Sequence, residues 1–280
     1  MQILDGKALS IKIKEKLKDE ITTLKKDGIT PGLAVILVGE DPASQTYVNA
    51  KDRASQEVGI YSKKITLPPD TTQEALLQQI ADLNADNSIH GILVQLPLPK
   101  HIDTAKVIEA IAPHKDVDGF HELNVGKLST GSAKLIPCTP LGVMEILKEY
   151  NIDPMGLDAC VLGRSNIVGK PMMNLLLNAG ATVTICHSKT KNLKEKTSRA
   201  DLIVVGIGKP EMLQADMIKE GAIIIDVGIN RLESGKLVGD VAFTSVAPKC
   251  SYITPVPGGV GPMTIAMLLQ NTLIAAKNKG

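Results

Sequence analysis

The chain has 280 residues, which is enough for one large domain or two smaller ones that each bury a core. Its 31 basic and 30 acidic residues give a formal net charge of +1, so the total charge indicates neither a nucleic-acid partner nor a membrane surface. No apolar run approaches the length of a membrane span, and the charged N-terminus does not read as a signal peptide. The four cysteines are scattered and the five histidines lack paired metal-ligand spacing, so we expect a reducing cytoplasm and no metal.

Apolar runs alternate with helical patterns through the first hundred residues. An amphipathic pattern predicts a helix over 9–24, and continuous apolar runs at 33–39 and 90–96 predict buried strands of the parallel type. Helical patterns at about 44–58 and 72–83 lie between the strands. This alternation predicts an α/β fold.

The scarcity of aromatic residues makes Tyr47 informative. It shares one face of a predicted helix with Ser44 and Lys51. A tyrosine ring can stack on a flat heterocycle, and a lysine whose pKa is lowered by burial or by a neighbour can exchange protons. Because most lysines are solvent-exposed, the pattern alone favours an exposed Lys51 over a functional one.

Two further polar residues of this half are candidates for a site. Gln95 interrupts the apolar run 90–96, and a buried amide needs hydrogen-bond partners, which either Lys51 or the backbone could supply. Asp118 lies near a turn, where a structural hydrogen bond to the backbone is the default role. Placed before Gly119, its carboxylate could instead accept hydrogen bonds from an amino-substituted ring.

The second half is organised around residues 158–191. The polar, glycine-bearing stretch 120–135 predicts an interdomain connection, and a helix is predicted over 140–150. A short strand ending at Gly163, a glycine turn, a helix and a second strand ending at Cys186 then form a βαβ unit. Such a turn places backbone N–H groups at a helix N-terminus, where a phosphate binds.

The composition of this unit favours NADP over NAD. Its turn reads Gly-x-Ser-x-x-x-Gly rather than Gly-x-Gly-x-x-Gly, so the turn alone is weak evidence for a dinucleotide. An NAD site usually carries an acidic residue after the second strand, whereas this chain has the basic, hydroxyl-rich stretch 187–191. Arg164 and Ser188 would hold a 2′-phosphate. A solvated basic loop is the alternative, but the position of Arg164 directly after the turn glycine favours a cofactor role.

The remaining strands lead into loops rich in glycine. Strands are predicted at 202–205, 222–227 and 252–253, and ligands of open α/β sheets bind outside the carboxyl ends of such strands. The loop 255–262 is rich in proline and glycine, which allows its backbone to approach a ligand, although a plain linker is the alternative. A final helix is predicted to start at Thr264.

Five motifs occur together and in order along the chain. They are YVNAK at 47–51, VQLPLP at 94–99, DVDGF at 116–120, GRSNIVGKP at 163–171 and PGGVGPMT at 257–264. With these motifs the chain resembles, over essentially its whole length, the bifunctional methylenetetrahydrofolate dehydrogenase/methenyltetrahydrofolate cyclohydrolase family.

The resemblance implies an α/β protein of two α/β domains with the active-site cleft between them. Residues 1–120 are expected to form the catalytic, folate-binding domain, and residues 121–263 a Rossmann-like NADP-binding domain. The final helix, about 264–280, is expected to pack back on the first domain. The resemblance also implies a homodimer.

The resemblance further implies an activity in one-carbon metabolism. 5,10-Methylenetetrahydrofolate would give a hydride to NADP, and water would then convert the methenyl product to 10-formyltetrahydrofolate. Lys51 would be the catalytic lysine, chiefly of the hydrolytic step, with Gln95 hydrogen-bonded to it. Tyr47 would stack on the folate, and Asp118 would bind the pterin amino group. Other folate-lining positions implied are Val94, Leu96, Pro257, Gly258, Gly259, Val260 and Gly261. The NADP contacts implied are Gly163, Arg164, Ser165, Ser188 and Ile229.

Three other interpretations compete at the level of sequence. A monofunctional NAD(P)-dependent dehydrogenase would lack the hydrolytic step, and the joint presence of Lys51 and Gln95 speaks against it. A non-catalytic NADP sensor would need neither Lys51 nor Tyr47. An unrelated shikimate-type dehydrogenase would share the C-terminal half but not the Tyr-x-x-x-Lys helix.

Overall fold

The computed structural model describes residues 1–278, and within it the chain divides into two compact units. One unit, the 12–138 unit, also contains residues 265–278, and the other, the 139–264 unit, also contains residues 1–11. Residues 121–138 thus lie in the 12–138 unit, whereas the sequence-based division placed them in the NADP-binding domain. Residues 279–280 of the predicted final helix lie outside the described residues.

Strands and helices alternate along both units, which confirms the predicted α/β class. In chain order the elements are β1 (Gln2–Ile3), α1 (Gly6–Lys26), β2 (Gly32–Val38), α2 (Pro42–Val58), β3 (Tyr61–Leu67), α3 (Gln73–Ala85), β4 (Gly91–Val94), α4 (Thr104–Ala110), α5 (Glu122–Ser129), α6 (Cys138–Glu149), β5 (Asp158–Leu162), α7 (Gly169–Asn178), β6 (Thr182–Cys186), α8 (Leu193–Thr197), β7 (Leu202–Val205), β8 (Ile223–Asp226), β9 (Asn230–Arg231), β10 (Leu237–Val238), α9 (Phe243–Val246), β11 (Tyr252–Ile253) and α10 (Val260–Lys277).

The 12–138 unit is built on a parallel three-stranded sheet in the order β3-β2-β4. All seven residues of the central strand β2 are buried, as its continuous apolar sequence predicts for a strand covered on both faces. One face packs on α3 and α4 through a cluster that includes Ile36, Ile80 and Val107. Burying each such side chain contributes about 1.5–3 kcal/mol, so this cluster stabilises the packing of the two helices on the sheet.

The 139–264 unit contains a parallel six-stranded sheet in the order β1-β11-β8-β7-β5-β6. From β5 the chain first moves outward to β6 and then returns to add β7 on the opposite side of β5. The strand order therefore reverses between β5 and β7. Ligands of doubly wound sheets bind at the carboxyl ends of the strands at such a reversal.

Three details differ from the sequence-based expectations. Gln95 lies just beyond the end of β4 rather than inside it, although its N–H still donates to Ile36 O at 2.8 Å. The stretch 120–135, predicted only as an interdomain connection, contains a helix, α5, capped by the imidazole of His121. Helix α10 starts at Val260, four residues before the predicted start, since Pro262 is tolerated in a first helical turn.

Among residues 1–278, no helix is long and apolar enough to cross a membrane.

Candidate active site

Helix α2 begins directly after the carboxyl end of β2 and carries two of the candidate residues. Asp41 caps it, with its carboxylate accepting from Ser44 N at 2.7 Å, and Pro42 occupies the first turn. This start sets the rotation of the helix, so that Val48 is buried while Tyr47 is 44% exposed. A tyrosine ring with that much open surface can stack on a flat ligand.

The Lys51 side chain contacts Gln95. Its Nζ donates to Gln95 Oε1 at 3.0 Å, and both residues are partly buried. Gln95 Nε2 donates in turn to Leu96 O at 2.7 Å, which fixes the amide oxygen of Gln95 toward the lysine. The exposed helix lysine that the pattern alone favoured is therefore not what the structure shows. Val94 and Leu96, on either side of Gln95, are buried and partly buried.

Asp116 and Asp118 have different environments, which separates a structural carboxylate from a candidate ligand. Asp116 is buried and accepts from His121 N and from Asn124 Nδ2, both at 2.8 Å. Asp118 is contacted by the thiol of Cys138, with Sγ 3.8 Å from Oδ1. Burial raises the pKa of Asp118 to about 6, with the charge of Lys51 opposing the shift and that of Asp116 adding to it.

Two buried side chains beside Asp118 were not identified from the sequence. Cys138 donates its S–H toward Val117 O at 3.4 Å, and burial raises the pKa of its thiol. Asn271 of α10 donates from Nδ2 to Val117 O and to Ile136 O, both at 2.8 Å. An asparagine inside an apolar helix is the sequence signal that could have revealed this contact, since a buried amide needs partners.

A cavity of about 510 Å³ opens at the carboxyl ends of β5, β6 and β7, where the strand order reverses. It is lined by Leu162, Gly163, Arg164, Ser165, Cys186, His187, Ser188, Thr190, Leu193, Gly206, Ile207, Lys209 and Met212. Apolar side chains and backbone form part of this lining, and basic and hydroxyl groups form the rest. The combination suits a flat heterocycle joined to phosphate groups.

The turn after β5 is packed backbone against backbone. Gly163 has φ 122°, and a Cβ there would overlap the carbonyl oxygen of Gly206. A Cβ on Gly169 would overlap the carbonyl oxygen of Gly163. Ser165 Oγ accepts from Val168 N at 3.2 Å and so caps the start of α7, which leaves its hydroxyl hydrogen to donate to a ligand. The residues present thus fit a phosphate group.

The loop after β6 is braced by its own side chains. His187 N donates to Thr190 Oγ1 at 2.8 Å, and Lys189 N donates to His187 Nδ1 at 3.1 Å. Ser188, between these contacts, is exposed on the cavity lining, as is Arg164 on the neighbouring turn. The structure therefore brings together the two side chains that the sequence analysis assigned to a 2′-phosphate.

The other candidates in the 139–264 unit lie in a second group. Ile229 is 44% exposed and is not part of the cavity lining; it lies beside Gly261. The loop at 257–261 has a specified shape rather than that of a plain linker, since Gly259 N donates to Pro255 O at 2.8 Å and Gly258 O accepts from Lys7 N at 2.8 Å. Tyr47, Lys51, Gln95 and Asp118 belong to the other unit.

Comparison with known families identifies both halves of the chain. The family model described as tetrahydrofolate dehydrogenase/cyclohydrolase, catalytic domain, matches residues 4–118. The model described as tetrahydrofolate dehydrogenase/cyclohydrolase, NAD(P)-binding domain, matches residues 137–280.

Individual relatives match over the full length. The bifunctional protein FolD of Campylobacter concisus is 68% identical, with 100% of this chain and 99% of that protein covered. The crystal structure of the bifunctional enzyme FolD, methylenetetrahydrofolate dehydrogenase/cyclohydrolase, from Campylobacter jejuni is 60% identical and superposes with a TM-score of 0.99, covering 100% of both chains. The Trypanosoma brucei FolD, solved with NADP cofactor and an inhibitor, is 39% identical with a TM-score of 0.94, covering 98% of this chain and 97% of that one. The chain therefore belongs to the tetrahydrofolate dehydrogenase/cyclohydrolase family.

Proposed function

We propose that the chain oxidises 5,10-methylenetetrahydrofolate with NADP and then hydrolyses the 5,10-methenyl product to 10-formyltetrahydrofolate. Family membership over both halves supports the reaction class. The observation that carries the bifunctional assignment is the hydrogen bond between Lys51 Nζ and Gln95 Oε1 at 3.0 Å, because it supplies a partly buried amine for the hydrolytic step.

The oxidation step needs positioning more than acid–base chemistry. The nitrogen lone pairs of the substrate stabilise the methenyl cation, so the protein has to hold the reacting atoms close and in line. NADP, when bound, accepts the hydride. Gly163, Arg164, Ser165 and Ser188 would hold its phosphates and ribose, and Ile229 would contact it beside Gly261.

The hydrolytic step needs a group that moves protons. Water adds to the methenyl carbon and gives up both of its protons as the formyl C=O forms; one carbon–nitrogen bond breaks as that nitrogen takes up one of these protons, and the other is released to solvent. Lys51 would accept and return the proton, and Gln95 would orient the amine through its amide oxygen. Tyr47 would stack on the pterin, Asp118 would accept from the pterin amino group, and the backbone at 94–96 and 257–261 would line the folate.

One experiment tests both activities. The purified protein is given 5,10-methylenetetrahydrofolate with NADP or with NAD, and the reduced nicotinamide and the methenyl intermediate are followed together. The proposal expects NADP reduction and transient methenyl accumulation that decays to the formyl product. Methenyl that accumulates and hydrolyses only at its uncatalysed rate would instead indicate the monofunctional dehydrogenase.

The affinity for folate is expected to fall in acid because of Asp118. Its pKa is raised from 3.8 to about 6 chiefly by burial, so the carboxylate that would bind the pterin protonates as the pH falls through 6. We expect the KM for methylenetetrahydrofolate to rise by up to about tenfold for each pH unit below 6, because the ionised carboxylate accepts the amino-group hydrogens more strongly than the protonated one. Steady-state kinetics between pH 5 and 8 on the wild type and on Asp118→Asn measures this.

Asp118→Asn serves as the control, because its KM should be high and insensitive to pH over that range. An unchanged slope of KM against pH in the variant would assign the pH dependence to another group.

The raised pKa of Asp118 also affects stability, which it favours at acidic pH, whereas substrate affinity is favoured at higher pH. Because the folded state binds this proton more tightly, the contribution of Asp118 to stability is largest at acidic pH and is lost as the pH rises through 6.

Selectivity for NADP is expected to depend on Arg164. Arg164 and Ser188 both line the cavity, where a 2′-phosphate would sit. Arg164→Ala should raise the KM for NADP by about tenfold to a hundredfold, the range for losing one hydrogen bond to a charged group. The KM for NAD, which lacks that phosphate, should change little. Arg199→Ala is the matched control, since Arg199 is exposed and pairs with Glu195; equal losses for both cofactors in Arg164→Ala would contradict the assignment.

We further propose a homodimer that works in the cytoplasm. Strand β3 is one of the two outer strands of its sheet, and an unpaired edge can pair with a second copy. All four cysteines are buried and unpaired within residues 1–278, which suits a reducing compartment. The molecular mass in solution tests the dimer, and a value for one chain would refute it.

A further inference from the structure

The carboxylate of Asp240 binds the loop that follows β7. Asp240 is fully buried. It accepts from three consecutive backbone groups, Ile207 N at 2.7 Å, Gly208 N at 3.0 Å and Lys209 N at 2.9 Å. Asn230 Nδ2 donates to it as well, at 2.9 Å. Four donors converge on one carboxylate, which is an arrangement that stabilises a negative charge.

This loop forms one wall of the cavity at the β5/β7 reversal. Gly206, Ile207 and Lys209 are all part of the cavity lining. The loop belongs to neither a helix nor a strand, so its N–H groups need a partner outside the regular hydrogen-bond ladders. Asp240 supplies that partner for three residues in a row. The shape of the wall is therefore set by the protein before any ligand arrives.

Asp240 is held by a second buried carboxylate at the end of β8. Asp226 accepts from Asp240 N at 3.0 Å and from Val241 N at 2.9 Å. Gly228 and Gly239 make room for the pair, because a Cβ on the former would overlap the carboxyl group of Asp240 and one on the latter that of Asp226. Asp226, at the end of β8, therefore fixes the position of Asp240 by hydrogen bonds, and Asp240 in turn fixes the position of the loop.

We propose that Asp240 is a positioning residue for NADP, which fixes the wall at 206–209 against which the adenosine part of the cofactor packs. This inference rests on the proposed function of the cavity. Asp240 is buried beneath the loop and acts through the backbone at 207–209. Without its carboxylate, three N–H groups lose their acceptor and the wall has to be ordered at the moment of binding, which weakens cofactor affinity.

Asp240→Asn tests the proposal with little change of volume. Its amide NH₂ would face N–H groups that need an acceptor. The KM for NADP and the dissociation constant of NADP from calorimetry should both rise about tenfold to a hundredfold. The kcat at saturating NADP, the KM for methylenetetrahydrofolate and the rate of methenyl hydrolysis should stay within about threefold of the wild type. Hydrogen exchange of the amides at 207–209 should accelerate.

Asp201→Asn is the matched control. Asp201 precedes β7, at the opposite end of the same strand, where it accepts from Asp158 N at 2.8 Å and pairs with Lys219. Its loss should lower Tm without changing the KM for NADP. Asn230→Ala, which removes one donor to Asp240, provides a milder second variant should Asp240→Asn not fold, and it should raise the KM for NADP severalfold.

The outcomes distinguish a failure of the positioning role of Asp240 from a failure of the proposed NADP-dependent function. A wild type that reduces NADP, together with variants at 240 and 230 whose KM for NADP equals that of the wild type, would overturn the positioning role alone. Equal losses in both substrates' KM, or a loss in kcat, would also overturn it, since they indicate a general structural role. A wild type that binds no NADP would remove the proposed function as well.

Discussion

Replacement of Lys51 by methionine is expected to abolish methenyltetrahydrofolate hydrolysis while NADP binding survives. Methionine keeps an unbranched side chain of similar length but removes the amine that donates to Gln95 Oε1. Without it, no group at this position can take the proton from water, and the rate should fall by about 10²–10⁴-fold, the usual contribution of a general acid–base group. The measurement is the decay of supplied methenyltetrahydrofolate, with NADP affinity determined separately by calorimetry.

Lys64→Met is the matched control for Lys51→Met. Lys64 is exposed on β3, and its Nζ donates to Asn49 Oδ1 at 3.1 Å, so the variant removes an equal charge beside the same helix. It should hydrolyse methenyltetrahydrofolate at the wild-type rate. Hydrolysis at that rate in Lys51→Met as well would remove Lys51 from the chemistry. A parallel loss of NADP affinity would show that the substitution acts through the fold instead.

Strands with a clear apolar pattern could be predicted from the sequence, whereas the edge strands β1 and β3 could not. Strands such as β2 and β7 are buried along their whole length, and a strand covered on both faces appears as a continuous apolar run. Strand β3 carries two lysines, a serine and a threonine along its seven positions, because an edge strand meets solvent. Strand β1, with two residues, is too short to show any period. These two strands were not predicted for that reason.

In the candidate site, contacts between residues close in sequence could be predicted, whereas contacts between distant residues could not. Helical spacing placed Tyr47 and Lys51 on one face, because that relationship spans a single turn. The hydrogen bond from Lys51 to Gln95 joins residues 44 positions apart; the residues alone left the partner of Gln95 open between Lys51 and the backbone, and the resemblance to a family favoured Lys51. Asp240 was missed entirely: its partners lie 31 to 33 positions earlier and are backbone N–H groups, which leave no mark on residue type.

Gly169→Ala is expected to have the opposite effect to Lys51→Met. Gly169 is the buried first residue of α7, and an added Cβ would overlap the carbonyl oxygen of Gly163 and lie 2.8 Å from Arg164 N. Both neighbours are backbone atoms, so no flexible side chain can yield and the turn has to open. Overpacking of this kind costs about 1–3 kcal/mol of stability. The displaced N–H groups should also lose their hydrogen bonds to the cofactor phosphates, which raises the KM for NADP by at least about a hundredfold.

Hydrolysis distinguishes a local effect of Gly169→Ala from general unfolding. Methenyltetrahydrofolate hydrolysis consumes no NADP, and Lys51 and Gln95 lie in the other unit, so the variant should still hydrolyse supplied methenyltetrahydrofolate at close to the wild-type rate. Gly126→Ala is the matched control, since Gly126 is a helical glycine in α5 whose added Cβ would meet open space. It should leave both activities intact and raise Tm slightly, because alanine reduces the entropy of the unfolded chain. Lys51→Met would then remove hydrolysis and leave NADP binding, and Gly169→Ala would weaken NADP binding and leave hydrolysis, which assigns the two functions to different units of the chain. Loss of both activities in a folded Gly169→Ala protein would contradict that separation.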